Sequence, residues 1–337
     1  MNRENTLKGL VTSGSHNLFT VRPAAGETAG ETVSQEIVCR IKGKVLKNAQ
    51  DVYNPIAPGD WVTIEKTHNA DTGLILGLQE RRNKFSRFNQ KGRTSQLLAA
   101  NVDQIICITT ADFPPFRPRF IDRILLQADI AGIEAVIVCN KSDLAVLAPG
   151  RIIDNIDVDA RLNDFVRIGY KVMHISAKTG QGLEQLKALL AGKTSVLTGQ
   201  SGVGKSSLIN ALDPQARIKT GKLNEKYKRG NHTTTMSFMI EITEENPAPP
   251  IRIIDTPGLR RFVPDGVGVA DIVHHMREFE PFSGKCGFGL SCSHRSEAGC
   301  KIIEAVNTGD IHPDRYDSFL RIHDELSAVA AGKTNAD

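Results

Sequence analysis

One octapeptide constrains this chain more than any other feature: Gly199-Gln200-Ser201-Gly202-Val203-Gly204-Lys205-Ser206, set between an apolar run at 195–198 and an apolar helical pattern at 205–212. The spacing G-x-x-x-x-G-K-S in that context demands a strand–loop–helix unit, and with it a parallel α/β sheet. The glycines let backbone N–H groups close around phosphate oxygens, and the helix N-terminus adds its positive dipole end. Lys205 is placed to reach the β- and γ-phosphates of a nucleotide, and Ser206 to ligate Mg²⁺, with Ser207 beside it in the same turn.

The surrounding pattern agrees. From about residue 100, strand-like runs at 102–109, 135–139, 171–176, 195–198, 235–241 and 251–255 alternate with helical patterns at 120–130, 151–166, 183–190 and 205–212. Three more short motifs fall at strand ends, where α/β sheets place ligands. Asn140-Lys141-Ser142-Asp143 supplies a carboxylate that can accept two hydrogen bonds, from the N1–H and the exocyclic amine of guanine. Adenine presents no such pair, so the discrimination is large. Ser176-Ala177-Lys178 fits a loop whose backbone N–H meets the guanine oxygen. In Asp255-Thr256-Pro257-Gly258, Asp255 would hold Mg²⁺ through water and the Gly258 N–H would sense the γ-phosphate. Each tetrapeptide alone is weak; four together at strand ends point to a guanine nucleotide.

On either side the pattern changes. Residues 1 to about 90 carry short alternating runs at 18–21, 37–41, 60–64 and 73–76, the spacing of a small all-β barrel or sandwich. Net charge over the chain is +4, yet residues 1–98 hold fourteen Lys plus Arg against nine Asp plus Glu, or +5. Arg81, Arg82, Lys84, Arg87, Lys91 and Arg93 follow one another without an acidic residue. Of these, Arg81, Arg82, Lys84 and Arg87 are the candidates for RNA phosphate contacts. Trp61, the single tryptophan, reads as a core residue at a strand start. Beyond about residue 270 the chain turns helical around Cys286-x₅-Cys292-x-His294-x₅-Cys300, three thiolates and an imidazole suited to one tetrahedral, structural Zn²⁺. With no apolar leader and no run of ~18 apolar residues, a cytoplasmic protein without a membrane segment is expected, and its thiols stay reduced.

The four nucleotide motifs resemble those of the translation-factor-related GTPases, but in a different order. There the phosphate loop comes first; here Asn140–Asp143 and Ser176–Ala177 precede it, which is a circular permutation. A permuted GTPase with a small β domain before it and a Cys/His island after it resembles the small-ribosomal-subunit biogenesis GTPase family (RsgA, also called YjeQ). That resemblance implies an oligonucleotide-binding (OB) barrel at 1–90, a permuted GTPase domain at 91–268 and a zinc-binding helical domain at 269–337. It implies a GTP phosphohydrolase, stimulated by the small ribosomal subunit and its rRNA during late maturation; separately, a monomer is expected. The other reading is a GTP-gated RNA-binding module in which hydrolysis is slow and incidental. The family pattern has four residues between the first two cysteines, where this chain has five (287–291).

The resemblance places the switch hydroxyl for Mg²⁺ at Thr234, with Thr233 and Thr235 in the same run. Many GTPases orient the attacking water with a Gln after Asp-x-x-Gly. Leu259 stands there and cannot hydrogen-bond, so His232 is the candidate catalytic group.

Overall fold

The computed structural model describes residues 6–15, 17–24, 36–43, 54–67, 71–90, 92–144, 152–153, 156–215, 237–243, 249–256 and 261–332. It opens with five strands: β1 (Thr6–Ser15), β2 (Leu18–Pro23), β3 (Ile37–Ile41), β4 (Trp61–Lys66) and β5 (Thr72–Leu78). Their pairing order, β1-β2-β3-β5-β4 with β4 back on β1, closes a barrel. β1 belongs to both edges of the closure. Its first half pairs with β4, its second with β2, and an irregularity between Val11 and Ser13 lets it bend from one to the other. Side chains alternate, so Val11, Phe19, Val21, Ile37, Val62, Ile64 and Ile75 fill the interior. The expected boundary at residue 90 falls in the turn of a separate hairpin, β6 (Lys84–Asn89) and β7 (Thr94–Ala100).

The chain continues through β8 (Gln104–Thr110), α1 (Pro118–Ile130), β9 (Glu134–Asn140), the short pair β10 (Ile152–Ile153) and β11 (Ile156–Asp157), α2 (Val158–Arg167) and β12 (Lys171–His174). Then come α3 (Leu183–Leu190), β13 (Thr194–Gly199), α4 (Lys205–Leu212), β14 (Phe238–Ile242) and β15 (Ile251–Asp255). The pattern at 151–166 reads as one helix. In the structure its first residues form β10 and β11, and the helix starts only at Val158, where the Asp157 carboxylate accepts from Ala160 N at 2.9 Å. β-Branched Ile152, Ile153 and Ile156 favour the strands, and the cap fixes the start.

The sheet order β12-β9-β8-β13-β15-β14 is parallel throughout except β14, which runs antiparallel to β15. Starting from the phosphate-loop strand β13 and reading cyclically gives β13, β14, β15, β8, β9, β12: a P-loop sheet whose chain begins at its fourth strand. The permutation read from motif order is therefore present in the topology. Two apolar layers cover the sheet. Leu125, Ile137, Phe165 and Tyr170 belong to the layer under α1 and α2, and Leu186, Leu197, Leu208 and Ile253 to that under α3 and α4. Beyond the outer edge, Ser13 of β1 pairs with Phe238 of β14, so barrel and sheet share one run of hydrogen-bonded strands.

The C-terminal region packs α5 (Lys301–Thr308), α6 (Pro313–Ala330) and three short 3₁₀ turns around Phe279, Ile302, Phe319 and Ile322, with Leu126 of α1 joining that core. Polar bonds hold it in place. Arg161 and Arg315, each 1% exposed, both donate to Asp122 (2.8 and 3.0 Å), and Arg315 also pairs with Glu278. Losing one partner from such a buried cluster costs about 3–5 kcal/mol, because the remaining charge is left without its counter-ion. A second node lies at Glu325 of α6, which takes Arg123 of α1 and Arg261. Among the described residues no helix is long and apolar enough to cross a membrane.

Candidate guanine-nucleotide site

Because β8, β9, β13 and β15 are parallel, their carboxyl ends emerge on one side, and the four motifs meet there. The phosphate loop turns from Gly199 into Lys205 through Gly202 (φ 85°) and Gly204 (φ 96°), backbone conformations that favour glycine. Gly204 has a second reason to lack a side chain. A Cβ there would sit 2.4 Å from Asn140 Nδ2. Lys205 folds back over the loop, its Nζ donating to the carbonyls of Gly199 (2.7 Å) and Gln200 (3.1 Å). Burial lowers the pKa of its ammonium, against the opposing pull of Asp255. Ser201 and Ser207 are exposed, Val203 is buried and Ser206 is half-buried in the first turn of α4.

The end of the site that carries Asn140–Asp143 and Ser176–Ala177 is knit from three strand ends. Asn140, 2% exposed, donates from Nδ2 to Val203 O (2.9 Å) and accepts at Oδ1 from Ala177 N (3.1 Å). One side chain thereby ties the phosphate loop to the Ser176–Ala177 loop. Lys141 adopts φ 63° and reaches across, its Nζ donating to Phe113 O and Gly202 O, each at 2.8 Å. Ser142 caps the neighbouring strand with both its backbone N (3.0 Å) and its hydroxyl (2.5 Å) on Ile175 O. The buried Ser176 hydroxyl donates to Asp143 Oδ1 at 2.6 Å while accepting from Thr179 N. Asp143 is thus held by one oxygen, and its half-buried carboxylate has acceptor capacity left for a pair of ligand donors.

At the opposite end, Thr198 Oγ1 and Asp255 Oδ1 are buried without a hydrogen-bond partner among the described residues. Burial pushes the Asp255 carboxyl up to about 6, with Lys205 pulling it back down. A buried carboxylate oxygen lacking a donor, next to a phosphate-loop lysine, is the chemistry of a group that serves a hydrated divalent cation, and the donor set fits Mg²⁺. His232, Thr234 and Gly258 lie outside the described residues.

A family model described as RsgA GTPase matches residues 78–263. The chain belongs to the RsgA GTPase family. Similar curated proteins include the small ribosomal subunit biogenesis GTPase RsgA of Flavobacterium johnsoniae, 34% identical over 94% of this chain and 92% of its own. That of Porphyromonas gingivalis is also 34% identical, over 96% and 98%. The crystal structure of YjeQ from Thermotoga maritima superposes with a TM-score of 0.68 at 28% identity, covering 96% of this chain and 99% of that one. YloQ, a circularly permuted GTPase, aligns with a TM-score of 0.63 at 23% identity over 100% and 99%, a likeness of fold. Barrel, permuted P-loop sheet and Cys/His region are thus the architecture of an RsgA-family GTPase, and the chain is an enzyme of that class.

A second candidate centre is assembled from one loop and one helix start. Cys286, Cys292, His294 and Cys300 are all buried, and their donor atoms lie within 4.8 Å of one another, a set able to hold a metal ion. His294 presents Nδ1 to Cys286 and Cys300, 3.5 Å from each sulfur. The five-residue spacer between the first two cysteines is taken up by the 3₁₀ turn Gly289–Ser291, so the longer spacing does not spread the donors.

The four basic candidates for RNA are placed unequally. Arg81 clamps the fully buried Asp60, 2.7 and 2.8 Å to its two oxygens, and Arg82 pairs with Asp103 at 2.6 Å. Lys84 is exposed. Arg87 is half-buried on β6, bonded to Gln96 and to Arg261 O. Sequence reasoning missed Thr198, the Phe113 carbonyl under Lys141, and both buried ion clusters. Thr198 and Lys141 carry the only available signal, standing next to motifs already recognised; the clusters join residues far apart in the chain and leave none.

Proposed function

We propose that this GTPase acts on the small ribosomal subunit, hydrolysing GTP during the subunit's late maturation. What supports the reading most is the combination of a guanine-type base end and a phosphate loop in permuted order with a barrel hydrogen-bonded to the same sheet. The chain also aligns over nearly its whole length with relatives named for small ribosomal subunit biogenesis. Asp143 accepts from the guanine N1–H and amine, Asn140 and Lys141 hold the phosphate loop against the base, and Ser142 buttresses the strand end that carries Asp143. Ser176 aims Asp143, and Ala177 N–H meets the guanine oxygen. Residues 199–207 cradle the phosphates through backbone N–H groups, with Lys205 on the β- and γ-phosphates and Gly258 N–H on the γ-phosphate. Mg²⁺, when bound, spreads negative charge off the phosphates; Ser206, Thr234 and, through water, Asp255 hold it. His232 orients the attacking water. Cys286, Cys292, His294 and Cys300 hold one structural zinc, and the protein works in the cytoplasm as a monomer on rRNA.

Single-turnover GTP hydrolysis, measured with and without purified small subunits, tests the reading. A rise of at least tenfold is expected. An unchanged rate rejects it and leaves a GTP-gated binding module. His232→Ala should lower the stimulated rate on the order of 10²-fold while GTP affinity holds. Unaffected turnover would return His232 to a structural role. Elemental analysis of protein prepared without chelator should find one zinc per chain, and none found would refute the zinc assignment.

A further inference from the structure

A cavity of about 570 Å³ opens where the start of α1, Arg261–Phe262 and the start of α6 meet, and its wall is basic. Arg117, Arg119, Arg123 and Arg261 line it, Asp314 is the one carboxylate among its lining residues, and Gln200 of the phosphate loop borders it. Local acids do not cancel that charge. Arg123 and Arg261 share a single carboxylate, Glu325, and Arg119 pairs with Asp317 at 2.8 Å and with Asp314 at 3.9 Å. Arg117 is exposed and forms no ion pair among the described residues. α1 begins here with no side-chain cap and no acidic residue in its first turn, so its positive end adds to the field.

Two observations narrow the occupant. The aromatic groups of the cavity, Phe116, Phe120 and Phe262, are 2%, 8% and 0% exposed. They form a floor and cannot stack on a base, so the site reads phosphate and not sequence. The cations also continue beyond the cavity, because Arg87 of the basic hairpin β6–β7 donates to the carbonyl of Arg261 at 3.3 Å. Cations of the hairpin and of the cavity thus lie side by side, which matches a polyanion.

We propose that this cleft, beside the phosphate loop, seats the phosphodiester backbone of RNA. The proposal rests on the small-subunit reading above for the source of that RNA. The test uses the full chain loaded with Mg²⁺ and a non-hydrolysable GTP analogue, titrated with purified small subunits over a range of salt. Arg117→Glu should bind at least tenfold more weakly, with a salt slope shallower by about 0.7 for the lost phosphate contact. Its GTP affinity and intrinsic turnover should equal those of the parent. Arg117→Lys, which keeps the charge, should stay within threefold. Lys171→Glu, a reversal at the other end of the sheet, should do the same. Subunit binding by Arg117→Glu with unchanged affinity and slope overturns the cleft. So does uridine monophosphate or inorganic phosphate binding at micromolar concentration through Arg117 while subunit affinity ignores the substitution, since the site would then serve a small anion. If the parent protein ignores subunits, the functional reading fails on its own. A labelled single-stranded RNA oligonucleotide then decides the cleft: Arg117-dependent, salt-sensitive binding keeps it, and Arg117-independent binding removes it.

Discussion

The two ends of the nucleotide site are built differently. At the base end, Asn140, Lys141, Ser142, Asp143 and Ser176 are all engaged with backbone or with one another at 2.5–3.1 Å, across three strand ends. At the phosphate end, Thr198 Oγ1 and Asp255 Oδ1 are buried without partners, and Lys205 leans on carbonyls of its own loop. The fold alone fixes the first; the second is completed by what binds. In the proposed function, recognition of the base is therefore set by packing, whereas the groups around the reacting phosphate keep capacity to rearrange.

The largest effect should come from the base end. Asp143→Asn turns an acceptor facing guanine into a group that can donate, and GTP affinity should fall on the order of 10³-fold or more while xanthosine triphosphate gains. Displacement of a fluorescent nucleotide measures both, and equal affinity for GTP before and after would dismantle the assigned base end. Next, Asp255→Asn keeps the shape but removes the charge, so turnover should drop on the order of 10²-fold and need far more Mg²⁺, with nucleotide-base preference untouched. A change in base preference would show that the two ends are one network after all. Ser176→Ala is milder. It removes one charge-assisted bond worth about 1.5–3 kcal/mol at most, so roughly a tenfold loss in GTP affinity with little change in kcat is expected. A fall in kcat alone would contradict its assignment as the residue that aims Asp143.

The smallest effect concerns pH in nucleotide-free protein. The folded carboxyl of Asp255 sits near 6, above its ordinary 3.8, so the folded state holds that proton more tightly than the unfolded chain. Its contribution is favourable below about 4 and is lost as pH rises through about 6. Asp255→Asn should remove that slope and raise Tm at pH 7 by a few degrees, read by thermal melts across the range. The binding effect has the opposite sign, since Mg²⁺ needs the carboxylate and Mg²⁺-dependent affinity should weaken below about pH 6.

Much of this arrangement could be read from residues because strand-end motifs carry their own context. An apolar run tells where a parallel strand stops, and Asn140, Ser176, Gly199 and Asp255 each stand at such a stop, so their convergence follows from the sheet. β1 was not legible for a physical reason. Its glycines break the alternation, and Gly14 is required because a Cβ there would lie 2.2 Å from the Phe19 ring, a packing fact absent from local pattern. Charge was only half legible. The run at 81–93 announces cations but not partners, and Arg81 turns out to satisfy Asp60 inside the fold. Asp122, Arg161 and Arg315 meet across 39 and 193 residues of chain, and no spacing rule reaches that far.

The permuted strand order has a consequence for how the molecule is made. A nascent chain folds from its N-terminal side while synthesis proceeds. Here β8, β9 and β12, neighbours in the final sheet, leave the ribosome before β13 does. Three parallel strands carrying Asn140, Asp143 and Ser176 can thus assemble first and offer β8 as an open edge, on which the phosphate-loop strand docks when it emerges. In the unpermuted order the phosphate loop would come first and wait for its base-reading half. This protein is born the other way round, and the barrel strand β1, made before the whole sheet, finds its partner β14 only near the end of the described strands.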